Sequence, residues 1–170
     1  GGPFKKVVTQ FSPTHVVHLA AKTGMDVAQL SDFSANMEGV QNLIDALREC
    51  PAIERAIFTS TMLVCRIGYR PRHDTDYCPP NLYGESKARG EQIVRAATGL
   101  NFAWTITRPI GIWGPWGEDP YANLFRAIRK GWYIHPGDGH FKRNLGYVEN
   151  SVHEMESILA APLEKVSGQT

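Results

Sequence analysis

The sequence predicts an α/β fold, a partial doubly wound parallel sheet with helices on both faces, followed by part of a smaller C-terminal region. Two observations carry that prediction. Short runs rich in β-branched and aromatic residues alternate with stretches of helical periodicity, in the strand–helix–strand order of parallel strands joined by helical crossovers. At 170 residues and 42% apolar content the chain is long enough for one substantial core.

In chain order, Gly1-Gly2-Pro3 leads into a short amphipathic helix, and His15-Val16-Val17-His18-Leu19-Ala20 reads as a buried strand. Met37, Val40, Leu43, Ile44 and Leu47 then form an apolar stripe at helical spacing. Ala56-Ile57-Phe58-Thr59-Ser60 is a second strand, and residues 61–80 form a long polar loop. Asn81 is placed to cap a helix that carries Tyr83 and Lys87. Phe102-Ala103-Trp104-Thr105-Ile106-Thr107 is a third strand, stopped by Arg108-Pro109. Beyond it, residues 121–130 read as helix, 136–139 as a turn, 144–148 as a short strand and 150–161 as a last helix. The expected division is a sheet-bearing unit over 1–110 and a partial substrate-binding region with its returning helix over 111–170.

Composition excludes several function classes. A net charge of +1 from 18 basic and 17 acidic residues resembles neither a nucleic-acid surface nor an acidic tail. No apolar run approaches the ~18 residues of a membrane span. Cys50, Cys65 and Cys78 are odd in number and make no CxxC pair. With no signal peptide visible they are expected to be reduced thiols in a cytoplasmic protein. Cys65, His73 and Cys78 lack zinc-site spacing, and His15 and His18 fall on opposite faces of a strand, so no metal site is expected. Trp113, Trp116 and Trp132 read as core or loop anchors.

The chemistry concentrates in Tyr83-Gly84-Glu85-Ser86-Lys87. Residues four apart share a helix face, so a phenol and an ammonium reach one site. A free phenol has a pKa near ~10, and a nearby cation favours its ionised form. The pair is therefore a candidate acid/base for a hydroxyl proton. Gly90, Ile93, Val94 and Ala97 continue the same face as an apolar stripe, which turns Lys87 toward the sheet. Gly111, Gly114 and Gly117 imitate a phosphate-binding spacing, but Pro115 and Pro120 interrupt the helix start such a site needs, so the match reads as a plain loop.

Six segments in register extend this picture. They are His18-Leu19-Ala20-Ala21, Asn36-Met37-Glu38-Gly39-Val40, Thr59-Ser60-Thr61, Tyr83 to Lys87, Arg108-Pro109-Ile110, and Arg143 followed by Tyr147-Val148. Together they resemble the extended short-chain dehydrogenase/reductase family, the NAD(P)-dependent epimerases and dehydratases with a Rossmann-like domain. The resemblance implies that Leu19, Ala20, Ala21, Thr59, Pro109 and Ile110 line NAD or NADP, with Lys87 on the nicotinamide ribose. It makes Tyr83 the acid/base, Lys87 the group that keeps its phenol acidic, and Thr61 rather than Ser60 the hydroxyl donor to the substrate oxygen. Asn36 becomes a proton-relay residue and Arg143 the holder of a nucleotide-sugar diphosphate. A homodimer packed through helices 36–47 and 82–97 is also implied.

Three departures qualify it. Val40 replaces the family's threonine, and Gly111 stands where the pattern has an asparagine. The glycine-rich strand–turn–helix half is missing, so this chain alone is expected to bind NAD(P) weakly. Two further readings follow: a 3β-hydroxysteroid-dehydrogenase-like oxidoreductase, slightly favoured by Gly111, and an inactive fragment or interaction module built on an exposed strand edge.

Overall fold

The computed structural model describes residues 2–24, 27–117, 121–134 and 144–170. Helix α1 (Pro3–Phe11) leads into β1 (His15–His18), and α2 (Ser34–Leu47) into β2 (Arg55–Thr59). Helix α3 (Leu82–Ala96) leads into β3 (Ala103–Thr107). The three strands form one parallel sheet in the order β1-β2-β3. Consecutive strands lie side by side, the usual arrangement of parallel strands joined by helical crossovers.

Strand alternation sorts the core. Val16, Ala56, Phe58, Trp104 and Ile106 face Val40, Leu43, Ile44 and Leu47 of α2 and Val94 of α3. Arg55 and Ile57 point to the opposite face, where Arg55 Nη1 donates to the Ile158 and Ala161 carbonyls at 2.6 and 3.0 Å. Those carbonyls lie at the end of helix α5 (Val148–Ala160), where the last carbonyls of a helix need donors from outside it. One arginine thus docks α5 on the sheet. The short helix α6 (Leu163–Val166) follows, and Gln169 bridges Thr105 in parallel, covering part of the β3 edge.

A second sheet pairs β4 (Ile112–Trp113) with β5 (Gly146–Tyr147), with α4 (Tyr121–Arg129) between them in sequence. Trp113 anchors it, its ring 5.0 Å from those of Phe125 and Tyr147. The anchor reading fails for the other two tryptophans. Trp116 is 100% exposed in a turn with φ 66°, and Trp132 is 72% exposed beyond α4 with the Lys130 ammonium over its ring.

Strand ends also moved. The first strand stops at His18, the last residue to pair with β2, leaving Leu19 and Ala20 exposed. The 61–80 loop contains a 3-10 turn over Met62–Val64, and the last helix begins earlier, at Val148. The expected turn at 136–139 lies outside the described residues. No described helix is long and apolar enough to cross a membrane.

Candidate active site

Ligands of parallel sheets gather beyond the carboxyl ends of the strands, and the predicted residues meet there. The Asn81 side-chain oxygen accepts from the Gly84 amide at 2.8 Å and starts α3, as the capping signal predicted. That start brings Tyr83 beside Thr61, whose hydroxyl favours the ionised phenol. Thr61 Oγ1 also accepts from the Leu63 amide at 3.2 Å, which fixes its rotamer. Gly84 permits the approach: a Cβ there would lie 2.2 Å from the Leu63 carbonyl oxygen.

Lys87 is buried one turn along, and its Nζ donates to the Thr59 carbonyl at 2.6 Å. Burial pushes its pKa down while the Glu91 carboxylate pushes it back up. The phenol departs from the expectation that Lys87 keeps it acidic. Burial raises the Tyr83 pKa, opposed by the Thr61 hydrogen bond, because the ammonium is turned to the strand carbonyl.

Asn36 is buried and its amide is well used. Nδ2 donates to the Lys22 carbonyl at 3.0 Å and to Ser86 Oγ at 2.9 Å, and Oδ1 accepts from the Lys22 amide at 2.8 Å. Ser86 Oγ in turn donates to the Tyr83 carbonyl at 2.7 Å. Both amide hydrogens are committed to holding the chain after β1 against α3. Gly90 allows the two helices to close, since a Cβ there would meet the Asn36 carbonyl oxygen at 2.7 Å.

Ser60 and Thr61 part company. Thr61 faces Tyr83, whereas Ser60 Oγ is buried without a partner. Ser60 lines a cavity of about 10 Å³ together with His18, Asn36, Lys87 and Glu91, about the room of one water molecule.

Two features were not read from the sequence. Glu91 is 3% exposed. Its carboxylate accepts from Arg108 Nε at 2.8 Å and Nη2 at 2.6 Å, and from the Tyr77 hydroxyl at 3.0 Å. The four-residue step from Lys87 to Glu91 was the available signal. The second feature is Tyr121, whose hydroxyl fills the space at Gly111, where a Cβ would lie 1.8 Å away. The glycine spacing is packing throughout, because a Cβ at Gly114 would strike Val148 at 2.3 Å and one at Gly117 the Gly114 carbonyl at 3.0 Å.

Leu19 and Ile110 lie 61% and 37% exposed at the carboxyl ends of β1 and β3. Ala20 is exposed and Ala21 and Pro109 are half-buried beside them, apolar surface that fits a flat nicotinamide ring and its ribose. A cleft of about 840 Å³ opens beside them, lined in part by His18, Ala20, Ala21, Lys22 and Gly39. Arg143 lies outside the described residues. Among the described residues no group of three His, Cys, Asp or Glu side chains is placed to hold a metal.

Comparison with known proteins places this geometry in context. The profile of the NAD dependent epimerase/dehydratase family matches residues 3–170. The N-acetyl-alpha-D-glucosaminyl-diphospho-ditrans,octacis-undecaprenol 4-epimerase of Escherichia coli O157:H7 is 30% identical over 142 residues, 81% of this chain and 43% of that protein. The 3beta-hydroxysteroid-dehydrogenase/decarboxylase isoform 1 of Arabidopsis thaliana is 32% identical over 159 residues, 87% of this chain and 36% of that one. In fold, 99% of the chain superposes on 55% of the UDP-Glucuronic acid 4-epimerase from Bacillus cereus, solved with a UDP-sugar analogue and NAD. The TM-score is 0.81 at 18% identity. The chain thus spans about half, or less, of the proteins it matches.

Proposed function

The chain belongs to the NAD dependent epimerase/dehydratase family, and from that premise we propose that it supplies the catalytic side of an enzyme that oxidises and re-reduces a sugar carbon of a nucleotide sugar. The observation that carries this reading is the Tyr83 phenol beside the Thr61 hydroxyl, one helical turn from a buried Lys87, at the carboxyl ends of parallel strands. Bound NAD or NADP supplies the hydride acceptor and donor. Tyr83 exchanges the hydroxyl proton and Thr61 donates to the substrate oxygen. Lys87, its ammonium held by the Thr59 carbonyl, serves the nicotinamide ribose, and Glu91 helps it stay protonated. Asn36 holds the segment after β1 against the Tyr83 turn. Leu19, Ala20, Ala21, Thr59, Pro109 and Ile110 form the cofactor wall, and Arg143 is assigned to the diphosphate.

UDP-glucuronic acid and UDP-glucose with NAD, given to the protein carrying this chain, test the reading. Tyr83→Phe should abolish turnover and leave the circular dichroism and melting curve unchanged. Undiminished turnover would remove Tyr83 from the mechanism. The same proposal includes a homodimer through the outer faces of α2 and α3, checked by sedimentation at rising concentration.

A second reading, a hydroxysteroid or other bulky alcohol as substrate, is favoured by Tyr121. Its hydroxyl takes the place an asparagine would need at Gly111, so the substrate meets a phenol edge there instead of an amide. Competition by UDP against an apolar alcohol in a cofactor-reduction assay separates the two.

A further inference from the structure

Cys65 and Cys78 sit in the loop between β2 and α3, and the reaction proposed above uses neither. Their backbones form an isolated parallel bridge. The Arg66 amide donates to the Cys78 carbonyl at 2.7 Å and the Cys78 amide to the Val64 carbonyl at 3.0 Å, so the two cysteines stand in register. Residues paired this way present their side chains on one face, with neighbouring backbones about 4.8 Å apart. That spacing falls inside the window of about 4.4 to 6.8 Å between Cα atoms that a disulfide needs.

Both thiols are free and partly exposed. Cys65 Sγ has a contact of 3.4 Å with the Asp76 carbonyl, a weak bond that is easily given up. Cys50, by contrast, is fully buried in the core beneath α2 and lies outside this loop. The pair occupies the base of the loop, Cys65 shortly after Thr61 and Cys78 shortly before Tyr83.

We propose that Cys65 and Cys78 form a reversible disulfide, a redox site that ties together the two segments carrying Thr61 and Tyr83. The oxidant class is a small-molecule disulfide such as oxidised glutathione. The thiolate of one cysteine attacks a sulfur of the oxidant, forming a mixed disulfide and releasing one small thiolate. The thiolate of the other cysteine then attacks the protein sulfur of that mixed disulfide, closing the Cys65–Cys78 bond and releasing the second small thiolate. Two protein thiols lose two electrons, the small disulfide gains them, and the two protons leave with the released thiols. Reduced glutathione runs the exchange backward.

The chain is incubated with oxidised glutathione, quenched with an alkylating reagent, digested and mapped by mass spectrometry. The expected product is a linked peptide joining Cys65 to Cys78, with Cys50 alkylated and the link lost on treatment with dithiothreitol. Amide exchange at Arg66 and Cys78 should slow by about tenfold or more in the oxidised form, because a covalent tie restricts opening of the loop base. Cys65→Ser and Cys78→Ser should each abolish the linked peptide, and wild-type mapping decides the question even if a variant fails to fold. Glutathione adducts without the linked peptide, disulfides only between molecules, or a linked chain with unchanged exchange would overturn the proposal.

Discussion

At the scale of single residues, the site is set by what burial does to charge. Tyr83 is pushed above the ordinary phenol range and Lys87 below the ordinary ammonium range, each by desolvation. The four-residue spacing made both groups visible in the sequence. Their electrostatics was not visible, because desolvation depends on Thr59, Glu91 and the sheet beneath them. A phenol held protonated is a better acid than base, so oxidation of the substrate hydroxyl should accelerate with pH between about 6 and about 9, with Tyr83→Phe flat across the range. Initial rates of cofactor reduction over that range check it, and a rate that falls with pH would contradict the assignment. His18 gives a separate stability prediction. Burial, and then the Lys87 charge, hold it below its ordinary 6.5, so in the window beneath 6.5 the unfolded chain binds the extra proton and stability falls as pH falls. Asp76 titrates lower. It is held at about 2, first by the Arg72 amide and then by the Tyr69 hydroxyl, so its contribution is lost only below 3.8. Urea unfolding between pH 7 and 5 should therefore show a slope that His18→Gln removes and Asp76→Asn leaves in place.

At the scale of elements, helix α3 decides whether the site exists. It is gripped at two points: at its start Gly84 lets the first turn approach Leu63, and midway along Glu91 receives Arg108, the residue after β3. Gly84→Ala places a methyl against a backbone carbonyl, and overpacking of this kind costs about 1–3 kcal/mol. Gly39 offers the contrast, because a Cβ there meets nothing within 4 Å, and Gly39→Ala inside α2 should stabilise the chain by up to about 1 kcal/mol. Paired urea titrations should give shifts of opposite sign, and equal losses would sink the close-approach account of Gly84. Glu91→Gln leaves the Arg108 guanidinium poorly paired in a mostly buried setting, a loss of about 3 kcal/mol. It should also lower the Lys87 pKa further by removing the carboxylate that supports it. The helices and strands around α3 were legible because their apolar periods were long and their ends signalled, by Asn81 at one helix and Arg108-Pro109 after β3. The Glu91–Arg108–Tyr77 tie was not, since it joins three segments that are distant in sequence. The end of β1 was misplaced for the same reason: pairing with β2 sets it, and that pairing is not local.

At the scale of the whole molecule, the described sheet has three parallel strands, and β1 has one edge with no strand beside it. Next to that edge α1 exposes Phe4, Val7 and Phe11 at 52%, 64% and 80%, a one-sided apolar stripe on a helix whose Val8 packs on the core. The wide cleft opens along the same side, from Phe4 of α1 to Gly39 of α2. What the chain offers a dinucleotide is therefore uneven. On the function proposed above, the nicotinamide end has the phenol, the ammonium and the apolar strand ends. For the pyrophosphate there is no glycine-rich strand-to-helix turn among the described residues, and the one sequence match to such a turn is filled by Tyr121, Val148 and its own backbone. Phosphate contacts at a helix N-terminus give dinucleotide sites much of their hold, so a nicotinamide wall alone should bind poorly. Calorimetric titration of the chain with NAD, NADP and their reduced forms should give dissociation constants weaker than about 100 μM, a binding free energy short of about 5.5 kcal/mol. Nicotinamide mononucleotide, which lacks the adenosine half, should bind nearly as well as NAD, because the described residues offer the adenosine half no glycine-rich turn. Micromolar binding of NAD with a large preference over the mononucleotide would mean that residues of this chain grip the adenosine side.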